Sequence, residues 1–349
     1  MSRPTHRVLT RGGHTLCYLP TQPRAACETL RLYPAQRWPA RLARFGLRWA
    51  LRVQVPWFGS REAPPPIPWS ALKWFDEAPT GFRPAMEHVG VLAGNPAAVG
   101  RRFIYLLFDA VFNPIAVLKL GFNEAARKKI LTEREFLTSF GGRHPGIPKL
   151  IGELSCEEAE GLMLPYFRGA TRSTSLLQED VADILSSWIH SDTPQPAETF
   201  PALALQLRNI DRHPLKGAMF CPVIAHGDLA PWNMVRTAGH GWHVIDWENG
   251  TDQGVPGWDW FHLIIQPASL VDRVCVEQIW SRLQSLWQSD VFRAYAARAG
   301  IKGLEHALLS TYLRDSLNRL QENREGADAG RLRVTAQALL ERCEDPSSS

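Results

Sequence analysis

The pattern of hydrophobic and polar positions divides the chain into a strand-rich stretch followed by a helical one. From about residue 85, short apolar runs bounded by turn residues predict strands at Arg102–Asp109, Ile115–Leu120, Ile147–Leu154 and Gly161–Phe167. The turn Asn113-Pro114 makes a hairpin of the first two strands. Asn123 is suited to cap a helix that runs to about Phe140. Strands, a helix and further strands therefore follow one another in this part of the chain.

After Gly169 the spacing of the apolar residues becomes helical. Glu179–His190 and most of Val271–Arg342 carry this pattern. Two short apolar runs, Val223–Ala225 and His243–Ile245, interrupt the helical region, and each leads directly into a polar segment. These two junctions hold the strongest candidate chemistry of the chain.

The first 84 residues differ in composition, because they are rich in Arg, Trp and Pro. Residues 1–80 contain twelve Lys or Arg and four Asp or Glu, which gives them a formal charge of +8. Since the whole chain carries +4, the remainder carries −4. This asymmetry indicates that the two parts have different roles.

One helix is predicted inside this basic segment, at Pro39–Val53. It places four arginines on one face and four apolar residues on another, namely Arg41, Arg44, Arg48 and Arg52 against Leu42, Phe45, Trp49 and Val53. Prolines then break regular structure, at Pro56, Pro64, Pro65, Pro66 and Pro68. We therefore expect this stretch to be a linker or an irregular wrap against the next unit.

The basic helix leaves three interpretations open. Its arginines could be a solvated face on a helix that packs against the rest of the protein. Residues 39–53 could instead contact an anionic membrane surface, since arginines on one side and aromatic residues on the other suit an interfacial helix. Binding of nucleic acid is the third interpretation. No nucleic-acid-binding motif accompanies the charge, so nucleic acid is not expected as a partner.

Composition sets limits on these predictions. Of the 349 residues, 45% are hydrophobic and 21% are charged, which is typical of globular proteins. No apolar run approaches the length of a membrane span, and no apolar segment follows the N-terminal arginines, so neither a transmembrane helix nor a secretory signal is expected. The six cysteines form no CxxC pair. They predict reduced thiols in a cytoplasmic protein. The basic helix leaves open that this protein associates with a membrane.

The strongest chemical signal is the segment HGDLAPWN, residues 226–233, which directly follows Val223–Ala225. It has the spacing H-x-D-x-x-x-x-N of a phosphotransferase catalytic loop. Asp228 is suited to accept a hydroxyl proton, and the amide oxygen of Asn233 can bind Mg²⁺ without adding charge. Asp246 follows the next apolar run, where its carboxylate can reach a metal on nucleotide phosphates. In a purely structural explanation, Asp228 and Asn233 cap a turn.

The segments HGDLAPWN and VIDWENG resemble the HGDxxxxN and IDxE motifs of the aminoglycoside phosphotransferase and choline kinase-like superfamily, over roughly residues 85–330. The resemblance implies a bilobal, protein kinase-like α+β fold with a small strand-rich N-lobe and a larger helical C-lobe. It also implies that Asp228 is the catalytic base, that Asn233 and Asp246 bind Mg²⁺, and that ATP is the phosphoryl donor.

The same resemblance suggests how the chain is divided. Residues 1–84 form the basic extension, residues 85–168 the N-lobe, and residues 169–349 the helical C-lobe with the catalytic loop. The resemblance implies that His226 has a structural role within that loop. It implies that Asp259, further along the chain, braces the loop.

A kinase-like N-lobe needs a phosphate-binding lysine, and Lys119 in the run AVLK suits this role. A lysine that points inward from an apolar strand requires a carboxylate partner. Glu133 and Glu135 are the two candidates, and they lie on different faces of the predicted helix. We expect Glu135 to be the partner. The alternative is a lysine that reaches solvent from a strand edge.

Two further segments are expected to contact the nucleotide. Gly161–Gly169 resembles the hinge between the lobes, where adenine bonds to the backbone. Pro165 there lacks an N–H, so Tyr166 is the expected backbone donor. The loop from Gly94 to Gly100 stands where a phosphate-covering loop belongs, although it is not a strict G-x-G-x-x-G.

Together these features predict ATP- and Mg²⁺-dependent transfer of the γ-phosphoryl group to a hydroxyl group of a small molecule. Trp247-Glu248 follows Asp246 in place of Phe-Gly, and no A-P-E segment follows, which argues against a protein acceptor. A sugar or a glycoconjugate is the leading substrate class, because the motifs resemble those of superfamily members in cell-surface polysaccharide pathways. Two rival hypotheses are a kinase-fold binding protein without turnover at a membrane surface, and a protein kinase.

Overall fold

The computed structural model describes residues 6–33, 35–56, 60–75, 89–94, 100–170, 177–208, 213–238, 241–322 and 327–344. The chain separates into two compact units. The first comprises Met1–Arg143 and Ile147–Arg168, and the second comprises His144–Gly146 and Gly169–Ser349.

The first unit is built on an antiparallel sheet with nine strands among the described residues. They are β1 (His6–Arg11), β2 (His14–Pro20), β3 (Arg61–Glu62), β4 (Leu72–Trp74), β5 (Gly90–Ala93), β6 (Arg102–Phe108), β7 (Pro114–Gly121), β8 (Gly152–Ser155) and β9 (Glu160–Pro165). Their order across the sheet is β3-β1-β2-β5-β6-β7-β9-β8-β4. The helices of this unit are α1 (Pro23–Thr29), α2 (Trp38–Arg52) and α3 (Glu124–Phe140).

The N-terminal extension contributes strands to this sheet, which the sequence did not predict. The proline-rich stretch is irregular at residues 63–68, and Ile67 and Trp69 pack against the apolar cluster of the sheet, as expected of a wrap. Strands β1 and β2 form a hairpin, and β2 pairs with β5. The turn of the hairpin is Gly12 and Gly13, whose φ angles of 58° and 81° suit a two-residue turn between antiparallel strands. The signal that the prediction missed was this Gly-Gly pair between two strand-like runs.

Strand β7 divides its side chains between the two faces of the sheet. Ala116, Leu118 and Leu120 belong to an apolar cluster on one face, together with Tyr105 of β6. Side chains alternate along a strand, so Lys119 lies on the opposite face, where it reaches α3. One face of the sheet therefore holds an apolar core, and the other holds a charged side chain beneath a helix.

Helix α3 begins and packs as its sequence predicts. The side chain of Asn123 accepts a hydrogen bond from the backbone N–H of Ala126 at 2.8 Å, which confirms the predicted cap. Ala126, Ile130, Glu133 and Leu137 are buried, and their spacing of four, three and four residues places them on one face. That face packs on the sheet.

The second unit is mostly helical. Its helices are α4 (Leu177–Ser187), α5 (Pro201–Arg208), α6 (Trp258–Pro267), α7 (Val276–Gln288), α8 (Asp290–Ala299), α9 (Glu305–Glu322) and α10 (Ala327–Glu344). Its short strands are β10 (Gly169–Ala170), β11 (Gln195–Pro196), β12 (Met219–Phe220), β13 (Val223–Ala225), β14 (Met234–Thr237), β15 (Gly241–Val244) and β16 (Thr251–Gly254).

Two strand pairs of this unit carry the polar segments noted in the sequence. Strand β13 pairs with β16, and β14 pairs with β15, both antiparallel. The apolar runs predicted at residues 223–225 and 243–245 thus correspond to β13 and to the end of β15. The segment HGDLAPWN connects β13 to β14.

The fold class is α+β, with a strand-rich first unit and a helical second unit, as the sequence predicts. Within the described ranges, each helix is too short or too polar to cross a lipid bilayer.

Substitution of Gly90 would test whether α1 of the extension packs directly on the sheet. A Cβ added at Gly90 would lie 2.6 Å from Cγ2 and 2.7 Å from Cβ of Thr29, a fully buried residue of α1. We expect Gly90→Ala to lower the free energy of unfolding by about 3 kcal/mol or more, because no Thr29 rotamer removes the contact with its Cβ. Thermal and denaturant unfolding would measure this.

Gly46→Ala is the matched control for this substitution. Gly46 lies within α2, and an added Cβ would meet no atom within 4 Å. Alanine should therefore stabilise the helix by about 0.5–1 kcal/mol. Equal stability of the two variants would show that α1 does not pack against β5 as described.

Candidate active site

The loop after β13 is held by the ring of His226, which is buried. Its Nε2 lies 2.9 Å from the carbonyl oxygen of Ile245, and its Nδ1 accepts the backbone N–H of Asp228 at 3.2 Å. These partners place the ring proton on Nε2 of a neutral imidazole. His226 thus joins the loop to the end of β15, in the structural role that the resemblance implies.

Asp259 braces the same loop from the first turn of α6. Its Oδ2 accepts the backbone N–H of His226 at 2.7 Å, and its Oδ1 accepts that of Gly227 at 3.0 Å. One carboxylate thereby satisfies two successive amides. Gly227 has a φ of 75°, and an added Cβ would lie 2.8 Å from the carbonyl oxygen of Asn249, so only glycine suits this turn.

Asn233 is bonded to Asp228, five residues earlier. Its Nδ2 donates to the backbone oxygen of Asp228 at 2.9 Å and approaches the carboxylate Oδ2 at 3.3 Å. Because the amide nitrogen is directed towards Asp228, the amide oxygen of Asn233 points away from it. That oxygen has the chemistry of a ligand for a hard cation.

Asn233 also lies next to Asp246. The backbone N–H of Ile245 donates to the carbonyl oxygen of Asn233 at 2.8 Å, and Met234 pairs with Val244 in the ladder of β14 and β15. Asp246 therefore directly follows Ile245, the residue that is hydrogen-bonded to Asn233. Its φ of 73° is unusual for a residue with a side chain and turns the chain at this point.

The donor set at the ends of β14 and β15 fits Mg²⁺. The amide oxygen of Asn233 and the carboxylate of Asp246 are hard oxygen ligands, and Mg²⁺ is commonly held by one or two protein ligands with water and phosphate oxygens. In the described parts of the chain, no three His, Cys, Asp or Glu side chains group together as a metal site. The remaining ligands of a Mg²⁺ held by Asn233 and Asp246 would be oxygens of water and phosphate.

Sequence reasoning missed two residues that contact Asp228 directly or through a partner. His262 Nε2 lies 3.0 Å from Asp228 Oδ1, and the hydroxyl of Tyr312 lies 2.9 Å from His262 Nδ1. Burial raises the pKa of the Tyr312 hydroxyl well above its ordinary value, so the hydroxyl keeps its proton. Because an ionised carboxylate only accepts hydrogen bonds, Nε2 of His262 is the donor to Asp228. A usable signal existed, since His262 follows Asp259 by three residues on α6.

Trp247 packs against the loop that contains His226. Its side chain is fully buried, its ring meets the ring of His226 edge to face at 4.7 Å, and it meets that of Trp188 at 5.0 Å. Its Nε1 donates to the carbonyl oxygen of Val244 at 2.7 Å. The tryptophan after Asp246 is thus a packing residue.

In the first unit, Lys119 is paired with Glu133, which corrects the expected pairing with Glu135. The Nζ of Lys119 donates to both carboxylate oxygens of Glu133, at 2.7 and 2.9 Å, and both side chains are buried. Glu135 is exposed. The reason is helical geometry, since Glu133 shares the buried face of α3 with Ile130 and Leu137, and Glu135 is turned away.

The expected hinge contact also needs correction. The backbone N–H of Tyr166 donates to the carbonyl oxygen of Ile115 at 3.1 Å, which extends the pairing of β9 with β7. This amide is therefore engaged within the first unit and is not the expected donor to adenine. Pro165 pairs opposite Ala116 and has no N–H to offer.

The predicted phosphate loop is described only at its ends. The N–H of Gly94 donates to the carbonyl oxygen of Arg102 at 3.0 Å, and an added Cβ would lie 2.6 Å from that oxygen. Gly94 therefore closes the β5–β6 hairpin, and its amide is already bonded. A Cβ at Gly100 would approach Cδ of Lys129 at 3.1 Å. Residues 95–99 lie outside the described residues.

The structure thus brings Asp228, Asn233 and Asp246 together in the second unit, while Lys119 belongs to the first. The roles expected of these four residues stay predictions. The backbone N–H of Tyr166, expected to bond to adenine, is already bonded within the sheet, and so is the N–H of Gly94.

The corrected pairing predicts a contrast between two glutamates of α3. Glu133→Gln leaves the ammonium group of Lys119 buried without a counter-charge, and should lower the free energy of unfolding by about 3–5 kcal/mol. Glu135→Gln is the matched control on the same helix, and should change it by less than about 0.5 kcal/mol. Denaturant unfolding would compare them. The reverse order would restore Glu135 as the partner.

No protein-family model and no curated protein matches this chain. Among solved structures, the aminoglycoside phosphotransferase APH(4)-Ia is similar at 16% identity and a TM-score of 0.44, over 73% of this chain and 94% of that one. A thermostable mutant of that protein has been crystallised as a ternary complex with AMP-PNP and hygromycin B.

Two other solved structures are similar at comparable levels. A Haemophilus somnus 129PT protein assigned as a fructosamine-3-kinase shares 13% identity, with a TM-score of 0.39, over 72% of this chain and 92% of that one. The bifunctional kinase-methyltransferase WbdD shares 16% identity, with a TM-score of 0.32, over 68% of this chain and 47% of that one. Values in this range leave the function to be argued from this chain's own residues.

Proposed function

We propose that the protein is an ATP- and Mg²⁺-dependent phosphotransferase that moves the γ-phosphoryl group to a hydroxyl group of a small molecule. The observation that carries the proposal is the double role of Asn233. Its amide donates to Asp228, and its carbonyl oxygen accepts the N–H of the residue before Asp246. Asn233, itself one of the two proposed metal ligands, thus joins the proposed base to the segment that carries the other ligand, Asp246, at the spacing that phosphoryl transfer uses.

Asp228 is suited to act on the acceptor. Its side chain is 39% exposed, whereas that of His262 behind it is 11% exposed. In the reaction, the acceptor oxygen forms a bond to the γ-phosphorus while the bond from that phosphorus to the bridging oxygen breaks. The hydroxyl proton passes to Asp228, and ADP leaves. The hydrogen bonds from His262 and Asn233 hold the carboxylate in place for this step.

The oxygens of Asn233 and Asp246 would hold Mg²⁺, which when bound neutralises phosphate charge and orients the transferred group. Within the first unit, the proposal assigns Lys119 to the nucleotide phosphates. Glu133 keeps this lysine charged and fixed on its strand. Because the donor is ATP, the proposal also places the protein in the cytoplasm.

A small molecule is proposed as the acceptor, with a sugar or a glycoconjugate as the first class to examine. The support is the segment after Asp246. Trp247 is locked by packing and by a hydrogen bond to Val244, and Gly250 donates its N–H to the carbonyl oxygen of Trp247. This short, closed turn differs from the Phe-Gly and activation segment of protein kinases. A binding protein without turnover and a protein kinase remain as outcomes of the tests below.

Removal of a proposed metal ligand gives the first test. Asp246→Ala should weaken Mg²⁺-dependent ATP binding by at least about tenfold, because a carboxylate that contacts the metal is lost. Calorimetry with and without Mg²⁺ would measure this, with slow ATP hydrolysis as a second readout. Asp290→Ala is the control, since that side chain is 95% exposed on α8. If the wild type binds no ATP with any divalent metal, the motif is architectural and the proposal fails.

Substitution of the proposed base gives the second test. Asp228→Asn should leave ATP binding within about twofold of the wild type and lower transfer by about 10²–10⁴-fold, because only proton acceptance is lost. An acceptor screen led by sugars and aminoglycosides would supply the assay. Full transfer by the variant would show that another group is the base. Incorporation of phosphate only into Ser, Thr or Tyr of proteins would favour the protein kinase.

The third test concerns Tyr312, which acts through His262. Tyr312→Phe removes the hydrogen bond that orients the imidazole of His262, so the hydrogen bond from His262 to Asp228 is held less firmly. We expect kcat to fall about tenfold with little change in KM for ATP. Tyr295→Phe is the control, because this buried hydroxyl accepts the N–H of Gly257 and has no contact with Asp228. An equal kcat for the two variants would reduce Tyr312 to a packing role.

A further inference from the structure

Helix α2 exposes a stripe of large apolar side chains. Trp38, Leu42, Phe45 and Trp49 are exposed by 72%, 59%, 71% and 60%. Their spacing of four, three and four residues places them on one face of the helix. Eleven large apolar residues are exposed among the described residues, and six of them lie between positions 38 and 55. The other five are scattered along the chain. We call these four residues the apolar stripe.

The helix is fixed with the apolar stripe outward. On its opposite side, Leu51 is 3% exposed and belongs to a cluster with Cys17 and Leu19 of β2 and Ala26 of α1. Leu47 packs against the same cluster. The Sγ–H of Cys27 further donates to the carbonyl oxygen of Arg48 at 3.4 Å. The exposure of the apolar stripe is therefore a consequence of how the helix is anchored to the first unit.

Arginines run along one flank of the apolar stripe. Five are found in and just before the helix, namely Arg37, Arg41, Arg44, Arg48 and Arg52, and residues 35–56 contain no Asp or Glu. In helical projection they lie between the buried face and the apolar stripe. Arg41 and Arg52 are exposed. The guanidinium of Arg44 donates to the carbonyl oxygen of Tyr33 at 2.9 Å, which holds its position.

These features select the chemistry of the partner. A second copy of this helix would bring ten arginines together, and their repulsion disfavours self-association. An anionic lipid surface instead matches each part of the face, because phosphates attract the arginines while indole and phenyl rings enter the interfacial region. A helix of fifteen residues is about 22 Å long and can lie in that plane.

We propose that α2 docks the protein on an anionic membrane surface, with the apolar stripe inserted at the level of the headgroups and the arginines on lipid phosphates. The proposal does not depend on the phosphotransferase activity, because it uses no residue of the candidate active site.

Flotation of the full chain with vesicles tests the proposal. We expect binding to vesicles of phosphatidylcholine with about one third phosphatidylglycerol, weak binding to phosphatidylcholine alone, and loss of binding at high salt. The double variant Phe45→Ala and Trp49→Ala should weaken binding by at least about tenfold. Arg41→Gln with Arg52→Gln should weaken it by about fivefold per arginine.

Matched controls separate docking from general stickiness. Leu205→Ala removes an apolar side chain that is 72% exposed on α5, and Arg293→Gln removes an arginine whose side chain is 64% exposed on α8. Neither should change flotation by more than about twofold if the proposal holds. Thermal unfolding of each variant checks that the first unit is intact.

Three outcomes would overturn the proposal. The first is equal binding to neutral and anionic vesicles. The second is binding that the α2 variants leave unchanged. The third is absence of flotation together with concentration-dependent dimerisation that Trp49→Ala abolishes, which would make the apolar stripe a contact between two copies of the chain.

Discussion

In the second unit, the loop that carries Asp228 depends on one carboxylate, which accepts hydrogen bonds from two successive backbone N–H groups. Asp259 holds the N–H groups of His226 and Gly227, and hydrogen bonds to a charged acceptor are worth roughly 1.5–3 kcal/mol each. One turn later on the same helix, His262 reaches Asp228. Helix α6 therefore controls both the backbone of the loop and the side chain of the proposed base. Asp259 and His262 thus act on the loop through hydrogen bonds, and the position of the proposed base depends on both.

The sequence predicts the elements that depend on local pattern. The strands on either side of Asn113, the cap at Asn123 and the polar segment after β13 are all present, because periodicity and turn chemistry act over a few residues. The choice between Glu133 and Glu135 failed although the signal was present. Only Glu133 continues the apolar face of α3, so the partner of a buried lysine is better chosen by the helix face than by its distance along the chain.

Contacts between distant segments are what the sequence could not supply. The amides of Gly94 and Tyr166 are taken up by carbonyl groups of neighbouring strands, so pairing within the sheet removes donors that a motif alone leaves available. The extension presents the same difficulty on a larger scale. Strand β2 pairs with β5 across roughly seventy residues rich in Arg and Pro, and no local pattern reports such a pairing.

The integration of the extension changes how the basic helix must be understood. A linker would tether the protein loosely, whereas α2 packs on a hairpin that belongs to the sheet containing Lys119. Docking through α2 would therefore set the orientation of the whole first unit on a surface. Deletion of residues 1–80 would remove β1, β2, β3 and β4 and expose the apolar cluster that they cover. Loss of membrane binding in that deletion could reflect unfolding alone, so single side chains of α2 carry the argument and the segment as a whole does not.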